Sequence, residues 1–252
     1  MAERQFHHAL AVAWIVAAAA TAAILIFVAA PYGRHARPGW GPRMNATVAW
    51  VVMEAVSPLG MAILFALGDR PTNPVAVAFL AMWLVHYVHR AFVFPFRRRG
   101  AREMPVAVAL LAVVFNAGNA YLNGRDLFLL GPTRDIAWFG DPRFVAGIAI
   151  FAAGLVVNVR SDRILFSLRR PGETTYRIPR GGLFDLVSCP NYLGEIVEWI
   201  GWAIATWSVG GATFAIWTAA NLVPRAVSHH RWYRSTFPDY PSERRAIVPF
   251  VL

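Results

Sequence analysis

Residues 8–31 read HALAVAWIVAAAATAAILIFVAAP, an apolar stretch longer than the roughly 20 residues that a helix needs to cross a bilayer. The stretch exceeds the apolar part of a signal peptide, and the only basic side chain before it, Arg4, is offset by Glu3, so we expect a retained helix. Comparable stretches follow at residues 46–67, 74–94, 105–122, 144–159, 192–209 and 211–227. The sequence therefore predicts an all-α membrane protein with seven transmembrane helices, folded as a single domain over residues 1–252.

The composition is typical of an integral membrane protein. Hydrophobic residues make up 57% of the chain and charged residues 15%, and the mean hydropathy is +0.45, which is too apolar for an ordinary soluble domain. The single cysteine, Cys189, excludes an internal disulfide and any metal or iron–sulfur site built from several cysteines. Adjacent histidines, at 7–8 and 229–230, point to different faces of a helix, so we expect no metal.

The arginines are distributed unevenly along the chain. All 24 basic residues are arginine, and 18 of them lie in the odd-numbered loops and the C-terminal tail. By the positive-inside rule these segments are cytoplasmic, so the N-terminus lies outside and the C-terminus in the cytoplasm. This orientation explains the net charge of +10 without nucleic acid. We expect a multi-pass protein of a bacterial inner membrane, or of the endoplasmic reticulum in a eukaryote.

Polar side chains interrupt several of the apolar helices at regular intervals. Asn158 and Asp162 are four residues apart, as are Asn191 and Glu195, and the same interval joins Arg225, His229 and Tyr233. Residues four apart share one face of a helix, so each set forms a polar stripe. The stripes either pair with one another across helices or converge on a polar cavity for a charged ligand. Arginines clustered on the same side suit the phosphates of a dinucleotide, which arginine binds through two hydrogen bonds at once.

Two polar residues of the second and third helices have a different chemistry. Glu54 lies midway along its apolar stretch, where a carboxyl group is costly to ionise and can stay protonated as a hydrogen-bond donor. Tyr87 offers a phenol, which can donate to the oxyanion that develops on a ketone. As an alternative, Tyr87 belongs to the aromatic belt of the membrane interface. The sequence contains neither G-x-G-x-x-G nor a Walker A motif, so helices and loops must hold any nucleotide.

Several segments together resemble one known family. They are NVRSD at 158–162, LRRPGETTYRIPRGGLF at 168–184, NYLGEIVEWIG at 191–201, HHRWY at 229–233, FPDYP at 237–241 and IVPF at 247–250. In this order they closely resemble the 3-oxo-5α-steroid 4-dehydrogenases, or steroid 5α-reductases. Shorter pieces at 32–34, 53–54 and 86–90 also match, so the resemblance covers nearly the whole chain.

The resemblance implies an NADPH-dependent oxidoreductase acting on CH–CH bonds. Its reaction would reduce the Δ4 double bond of a 3-oxo-Δ4 steroid, of testosterone or progesterone type, to the 5α-dihydro product by hydride transfer to C5. Glu54 and Tyr87 match the residues that bind the C3 ketone, and residues 144–252 would carry most of the cofactor site. The positions implied to hold NADPH are Arg98, Arg102, Asn158, Asp162, Arg169, Tyr176, Arg177, Asn191, Glu195, Arg225, His229 and Tyr233. The loop FRRRGAR at 96–102 departs from the family pattern around Arg98 and Arg102.

Alternative functions remain open at the level of sequence. They are a sterol C14-type or other enone reductase, a membrane methyltransferase of the isoprenylcysteine type, and a transporter. Glu54 and Tyr87 argue against a methyltransferase, which has no need of a pair that polarises a ketone. The lack of an evident internal repeat disfavours a transporter. The expected partners are a steroid or related lipophilic enone and membrane lipid, with neither nucleic acid nor an obligate protein partner.

Overall fold

The computed structural model describes residues 1–98, 103–170, 173 and 175–252, most of which form helices. The helices are α1 Ala2–Phe27, α2 Ala46–Ala66, α3 Pro74–Phe92, α4 Phe94–Arg97, α5 Val106–Arg125, α6 Pro142–Ser167, α7 Pro190–Thr206 and α8 Val209–Thr236. A π-helical turn, Asp126–Leu130, extends α5. Two short strands, β1 Arg43–Asn45 and β2 Glu103–Pro105, pair in antiparallel orientation next to the starts of α2 and α5.

Five segments of the described chain are long and apolar enough to cross a bilayer. They are Ala2–Phe27, Ala46–Ala66, Pro74–Arg97, Val106–Leu130 and Pro142–Ser167. The helix α7 has only 17 residues, and α8 carries a polar C-terminal half. The prediction of an all-α membrane protein is confirmed, whereas the number of seven spans and their orientation stay predictions.

Side chains at the helix starts explain why the chain turns into helix there. Asn45, Asn73, Asp141 and Ser208 each accept a hydrogen bond from a backbone N–H in the first turn of the following helix. These caps satisfy N–H groups that have no partner within the helix. The first turns of α3, α6 and α7 also carry proline, which needs no N–H partner there.

Some predicted boundaries were wrong. The stretch 144–159 belongs to a helix that continues to Ser167, so the helix is longer than the apolar stretch. The break near 210 lies earlier, because Trp207 adopts a left-handed conformation and Ser208 caps α8. Gly210 and Gly211 are inside α8, where Gly210 allows close contact with the backbone of α5 around Leu122.

Glycines allow the helices α6 and α7 to come into close contact. A Cβ atom on Gly154 would lie 2.3 Å from the backbone nitrogen of Glu198, and one on Gly194 would lie 2.5 Å from that of Asn158. The two backbones therefore touch, which brings the polar stripe of α6 against that of α7. An aromatic core, including Trp83, Trp199, Trp202 and Phe214, packs α3 against α7 and α8.

The close contact predicts that Gly154→Ala lowers the melting temperature. The added methyl group overlaps the backbone of α7, and forcing extra carbon into a packed interior costs about 1–3 kcal/mol. Gly140→Ala is the matched control, because a Cβ at Gly140 meets nothing within 4 Å. Thermal unfolding of the purified proteins in detergent measures both effects. Equal melting temperatures for the two variants would contradict the close packing of α6 and α7.

Candidate active site

A cavity of about 220 Å³ opens at the end of the bundle where α6, α7 and α8 meet the loop between α1 and β1. Nine of the residues predicted to bind a cofactor line it. They are Arg98, Asp162, Arg169, Tyr176, Arg177, Asn191, Arg225, His229 and Tyr233. Two more, Asn158 and Glu195, lie directly behind this lining, and Arg102 lies outside the described residues.

The polar stripes of α6 and α7 form one hydrogen-bonded layer behind the cavity. The amide of Asn158 donates to the backbone oxygen of Asn191 over 3.0 Å and to the carboxylate of Glu195 over 3.5 Å. The amide of Asn191 donates to the Oδ1 atom of Asp162 over 3.2 Å. The interval of four residues, noted in the sequence, therefore places all four side chains at a single interface.

One arginine connects this layer to the other half of the bundle. Arg90, at the end of α3, lies 3.6 Å from Asp162 and 3.5 Å from Glu195. Its guanidinium group also lies 5.2 Å from the ring of Trp50 and 4.4 Å from the ring of Phe94. The sequence assigns Arg90 no role, because its acidic partners lie on α6 and α7, far along the chain.

Glu54 and Tyr87 lie within electrostatic range of each other and of Arg90. The Tyr87 side chain is 3% exposed, and its ring packs against Trp83, His86 and Trp199. Its polar neighbours are the Glu54 carboxyl and the Ser57 hydroxyl. Glu54 also interacts electrostatically with Arg90. Neither Glu54 nor Tyr87 lines the 220 Å³ cavity, but Arg90 does, so Arg90 links the two regions.

The loop between α1 and β1 supplies a residue that sequence reasoning missed. The guanidinium group of Arg34 lies 5.2 Å from the ring of Tyr176, 4.8 Å from Trp232 and 4.6 Å from Tyr233. Its Nη1 atom is buried and has no hydrogen-bond partner within the described part of the chain. The matching triplet at 32–34 was the available signal, but nothing in the sequence showed that residue 34 meets residue 233.

Two histidines and a tyrosine form a hydrogen-bonded row along the same cavity. The Nε2 atom of His35 lies 3.0 Å from Nδ1 of His229, whose Nε2 lies 3.1 Å from the hydroxyl of Tyr192. Arg225 donates to that hydroxyl over 3.0 Å. Burial lowers the pKa of His35, and the positive charges of Arg34 and Arg225 lower it further. The cavity therefore disfavours additional cations and suits an anionic ligand.

Two of the remaining predicted arginines are held by their own loop. Arg169 donates from Nε to the backbone oxygen of Thr175, and its guanidinium group lies 4.0 Å from the ring of Tyr176. Arg177 forms an ion pair with Glu173. Deeper in the bundle, His86 pairs with Glu198 over 2.9 Å, a buried contact that sequence reasoning did not predict.

Comparisons with known proteins agree with this arrangement. The family model of 3-oxo-5-alpha-steroid 4-dehydrogenase matches residues 102–252. The steroid 5-alpha-reductase DET2 of Arabidopsis thaliana is 40% identical over 100% of this chain and 98% of its own length. The 3-oxo-5-alpha-steroid 4-dehydrogenase 1 of Bos taurus is 43% identical over 91% of this chain and 90% of its own, and that of Homo sapiens is 44% identical over 87% and 85%.

The chain belongs to the 3-oxo-5-alpha-steroid 4-dehydrogenase family. It is therefore an oxidoreductase that acts on CH–CH bonds. Membership in this family sets aside the methyltransferase and transporter alternatives. The resemblance seen in the sequence is confirmed, whereas the roles of individual residues stay predictions.

The ion pairs of Arg90 predict that Arg90→Gln destabilises the fold. The variant leaves the buried Asp162 and the partly exposed Glu195 without their cation, and removing one partner of a buried pair costs about 3–5 kcal/mol. Arg97→Gln, one turn beyond α3 on the exposed side of α4, is the control. Thermal unfolding in detergent should show a much lower melting temperature for Arg90→Gln alone. A melting temperature equal to that of the control would mean that Arg90 carries no structural role.

Proposed function

We propose that the enzyme uses NADPH to reduce the Δ4 double bond of 3-oxo-Δ4 steroids, of testosterone or progesterone type, to the 5α-dihydro products. The observation that carries this proposal is that Arg90 lines the arginine-rich cavity and also interacts electrostatically with Glu54 and Tyr87. Glu54 and Tyr87 offer two hydrogen-bond donors for a ketone in an apolar surrounding. The arginines of the cavity offer positive charge for the phosphates of a dinucleotide. The names of the relatives support the same reaction.

The side chains around the cavity fit NADPH. Arg34, Arg169 and Arg225 contribute positive charge from three separate segments, as a cofactor with several phosphates requires. The buried Nη1 of Arg34 has no hydrogen-bond partner within the described residues, and Arg34 lines the cavity, so it can donate to a bound anion. We propose that all of the residues predicted to bind NADPH do so. They are Arg98, Arg102, Asn158, Asp162, Arg169, Tyr176, Arg177, Asn191, Glu195, Arg225, His229 and Tyr233.

The chemistry depends on stabilising charge at the ketone oxygen. When bound, NADPH supplies a hydride for C5, which conjugation with the ketone makes electrophilic. Tyr87 and the protonated Glu54 donate hydrogen bonds to the C3 oxygen and stabilise the enolate that forms there. The rings of Trp83 and Trp199 pack around Tyr87 and exclude water, which strengthens both hydrogen bonds. C4 then takes up a proton.

We also propose that all seven long helices cross the membrane, with the N-terminus outside and the C-terminus in the cytoplasm. The loops that line the cavity precede β1 and follow α4 and α6. They are the first, third and fifth loops between the proposed spans, and the distribution of arginines predicts that these loops are cytoplasmic. Residues 1–252 would form a single domain, with most of the cofactor site in residues 144–252. The enzyme would lie in a bacterial inner membrane or, in a eukaryote, in the endoplasmic reticulum. NADPH would then enter from the cytoplasm.

Cysteine labelling tests this orientation. The native Cys189 is buried, and its burial raises the pKa of the thiol to about 12, so it should not react with a maleimide. Thr133→Cys and Ser235→Cys place reactive thiols at exposed positions, one between α5 and α6 and one near the end of α8. In bacterial spheroplasts an impermeant maleimide should label position 133 directly and position 235 only after permeabilisation. The reverse pattern would contradict the proposed orientation.

Two substitutions should separate catalysis from cofactor binding. Tyr87→Phe should lower kcat about 100-fold, the usual effect of losing an oxyanion donor, and leave the Kd for NADPH within about twofold. Arg169→Ala should raise that Kd about 10-fold or more, because it removes a charge-assisted contact. Arg160→Ala, at an exposed position of α6, is the control for lost charge. Product formation and NADPH titration give the two constants.

Two results would contradict the proposed roles of Tyr87 and Arg169. A Tyr87→Phe enzyme with normal turnover would remove Tyr87 from the reaction. An Arg169→Ala enzyme with the NADPH affinity of Arg160→Ala would remove Arg169 from the phosphate site.

A further inference from the structure

His35 is paired with His229 along the wall of the arginine-lined cavity, and both side chains line it. A short 3₁₀ turn, Gly33–His35, carries the imidazole of His35, which is partly exposed. The two rings stack with their centroids 5.0 Å apart and an angle of 11° between their planes. The Nε2 atom of His35 lies 3.0 Å from Nδ1 of His229. Stacking and the hydrogen bond together hold the two imidazoles as one unit.

The hydrogen bond between the two rings contains a single hydrogen. One nitrogen must donate and the other must accept, because two facing N–H groups would repel each other. His35 can bind an extra proton without breaking this bond. Its imidazolium form donates from Nε2 to His229 and carries a second hydrogen on Nδ1, which has no hydrogen-bond partner in the part of the chain that the structure describes. The pair can therefore hold one additional proton.

The inner end of the row can adjust to this proton. When His229 accepts on Nδ1, its own hydrogen lies on Nε2, which is 3.1 Å from the hydroxyl of Tyr192. The oxygen of Tyr192 has two lone pairs, one for His229 and one for Arg225, which donates over 3.0 Å. The proton of Tyr192 can then donate into the cavity that this residue lines. Protonation of His35 therefore adds a positive charge and frees a hydroxyl donor.

The charges around His35 decide when it is protonated. Those that act on it belong to Arg34 and Arg37 of its own loop and to Arg225 of α8, and all three are cations. His229, which stacks against it from α8, adds no negative charge. Burial lowers the pKa of His35 and the three arginines lower it further, so the imidazole is neutral at pH 7. A ligand that brings several negative charges into the cavity opposes this effect of the arginines.

We propose that His35 takes up a proton when NADPH binds, so that the cofactor and the proton occupy the cavity together. The proposal rests on the proposed use of NADPH. The phosphates of the cofactor offset the positive charges that keep the imidazole neutral. By linkage, the affinity for the cofactor then falls as the pH rises through the pKa that His35 has in the complex.

The test uses the intact enzyme in detergent and NADP⁺, which has the phosphates of NADPH and is stable at acid pH. Calorimetric titrations in buffers of different ionisation enthalpy count the protons taken up on binding, between about pH 5.5 and pH 8. His35→Gln keeps an amide that can hydrogen-bond to His229 but does not titrate. At its maximum, uptake by the unmodified enzyme should exceed that of His35→Gln by at least about half a proton. Its Kd should also rise more steeply with pH, by up to about 10-fold per unit.

The neighbouring histidine of α8 provides a matched control. His230 is also partly exposed, but it lies 2.7 Å from the hydroxyl of Ser188 and does not line the cavity. His230→Gln should therefore leave the proton uptake unchanged. The 2′-phosphate of NADP⁺ itself titrates near about pH 6, and it contributes to every variant, so the differences between variants carry the result.

Two outcomes would overturn the proposal. One is equal proton uptake in the unmodified enzyme and in His35→Gln, and the other is an equal loss of uptake in His230→Gln. A purely structural role of His35 would weaken NADP⁺ binding by the same factor at every pH and leave the proton count unchanged. His35→Phe keeps a stacking ring that does not titrate, and gives the same comparison if His35→Gln does not fold.

The same titrations separate this proposal from the function on which it rests. Binding of NADP⁺ with the same proton uptake in the unmodified enzyme and in His35→Gln would reject only the role of His35. No binding of NADP⁺ to the unmodified enzyme at any pH would reject the proposed use of NADPH, and the role of His35 with it.

Discussion

The ion pairs of Arg90 with Asp162 and Glu195 are the constraint on which the rest of the structure depends. In a membrane protein, a charge in the interior is tolerated only when partners surround it. Arg90 comes from α3, and its carboxylate partners come from α6 and α7. The helices α6 and α7 can share these charges because Gly154 and Gly194 let their backbones touch. The packing of small residues therefore sets the position of the charged layer.

This layer divides the interior into two chemically different regions. On one side, arginines from loops far apart in sequence face a cavity that suits an anion. On the other, aromatic rings enclose Tyr87, with Glu54 beside it. The proposed reaction, between a charged cofactor and an apolar enone, needs both environments in contact. Arg90 lies at their boundary and has an electrostatic interaction with Glu54 as well as with Asp162 and Glu195.

The sequence predicted much of this arrangement because the responsible signals are local. Apolar length predicted the positions of the long helices, and the interval of four residues predicted that Asn158 and Asp162 share a face. Contacts between distant segments were not predictable in this way. Arg34 meets Tyr233 across nearly the whole chain, and Ser57 meets Asn116 across two helices. The end of α6 and the turn at Trp207 were misplaced, because hydropathy falls before the helix ends and the glycines at 210 and 211 serve packing rather than a break.

Tracing the two hydrogens added to the steroid tests the central claim most directly. The enzyme is supplied with progesterone and NADPH that carries two deuterium atoms at C4 of the nicotinamide, and the product is analysed by NMR. We expect a 5α-dihydro product with deuterium at C5, and, with unlabelled NADPH in D₂O, deuterium at C4 instead. A product without deuterium at C5, or a Δ4 bond that remains intact while NADPH is bound, would contradict it.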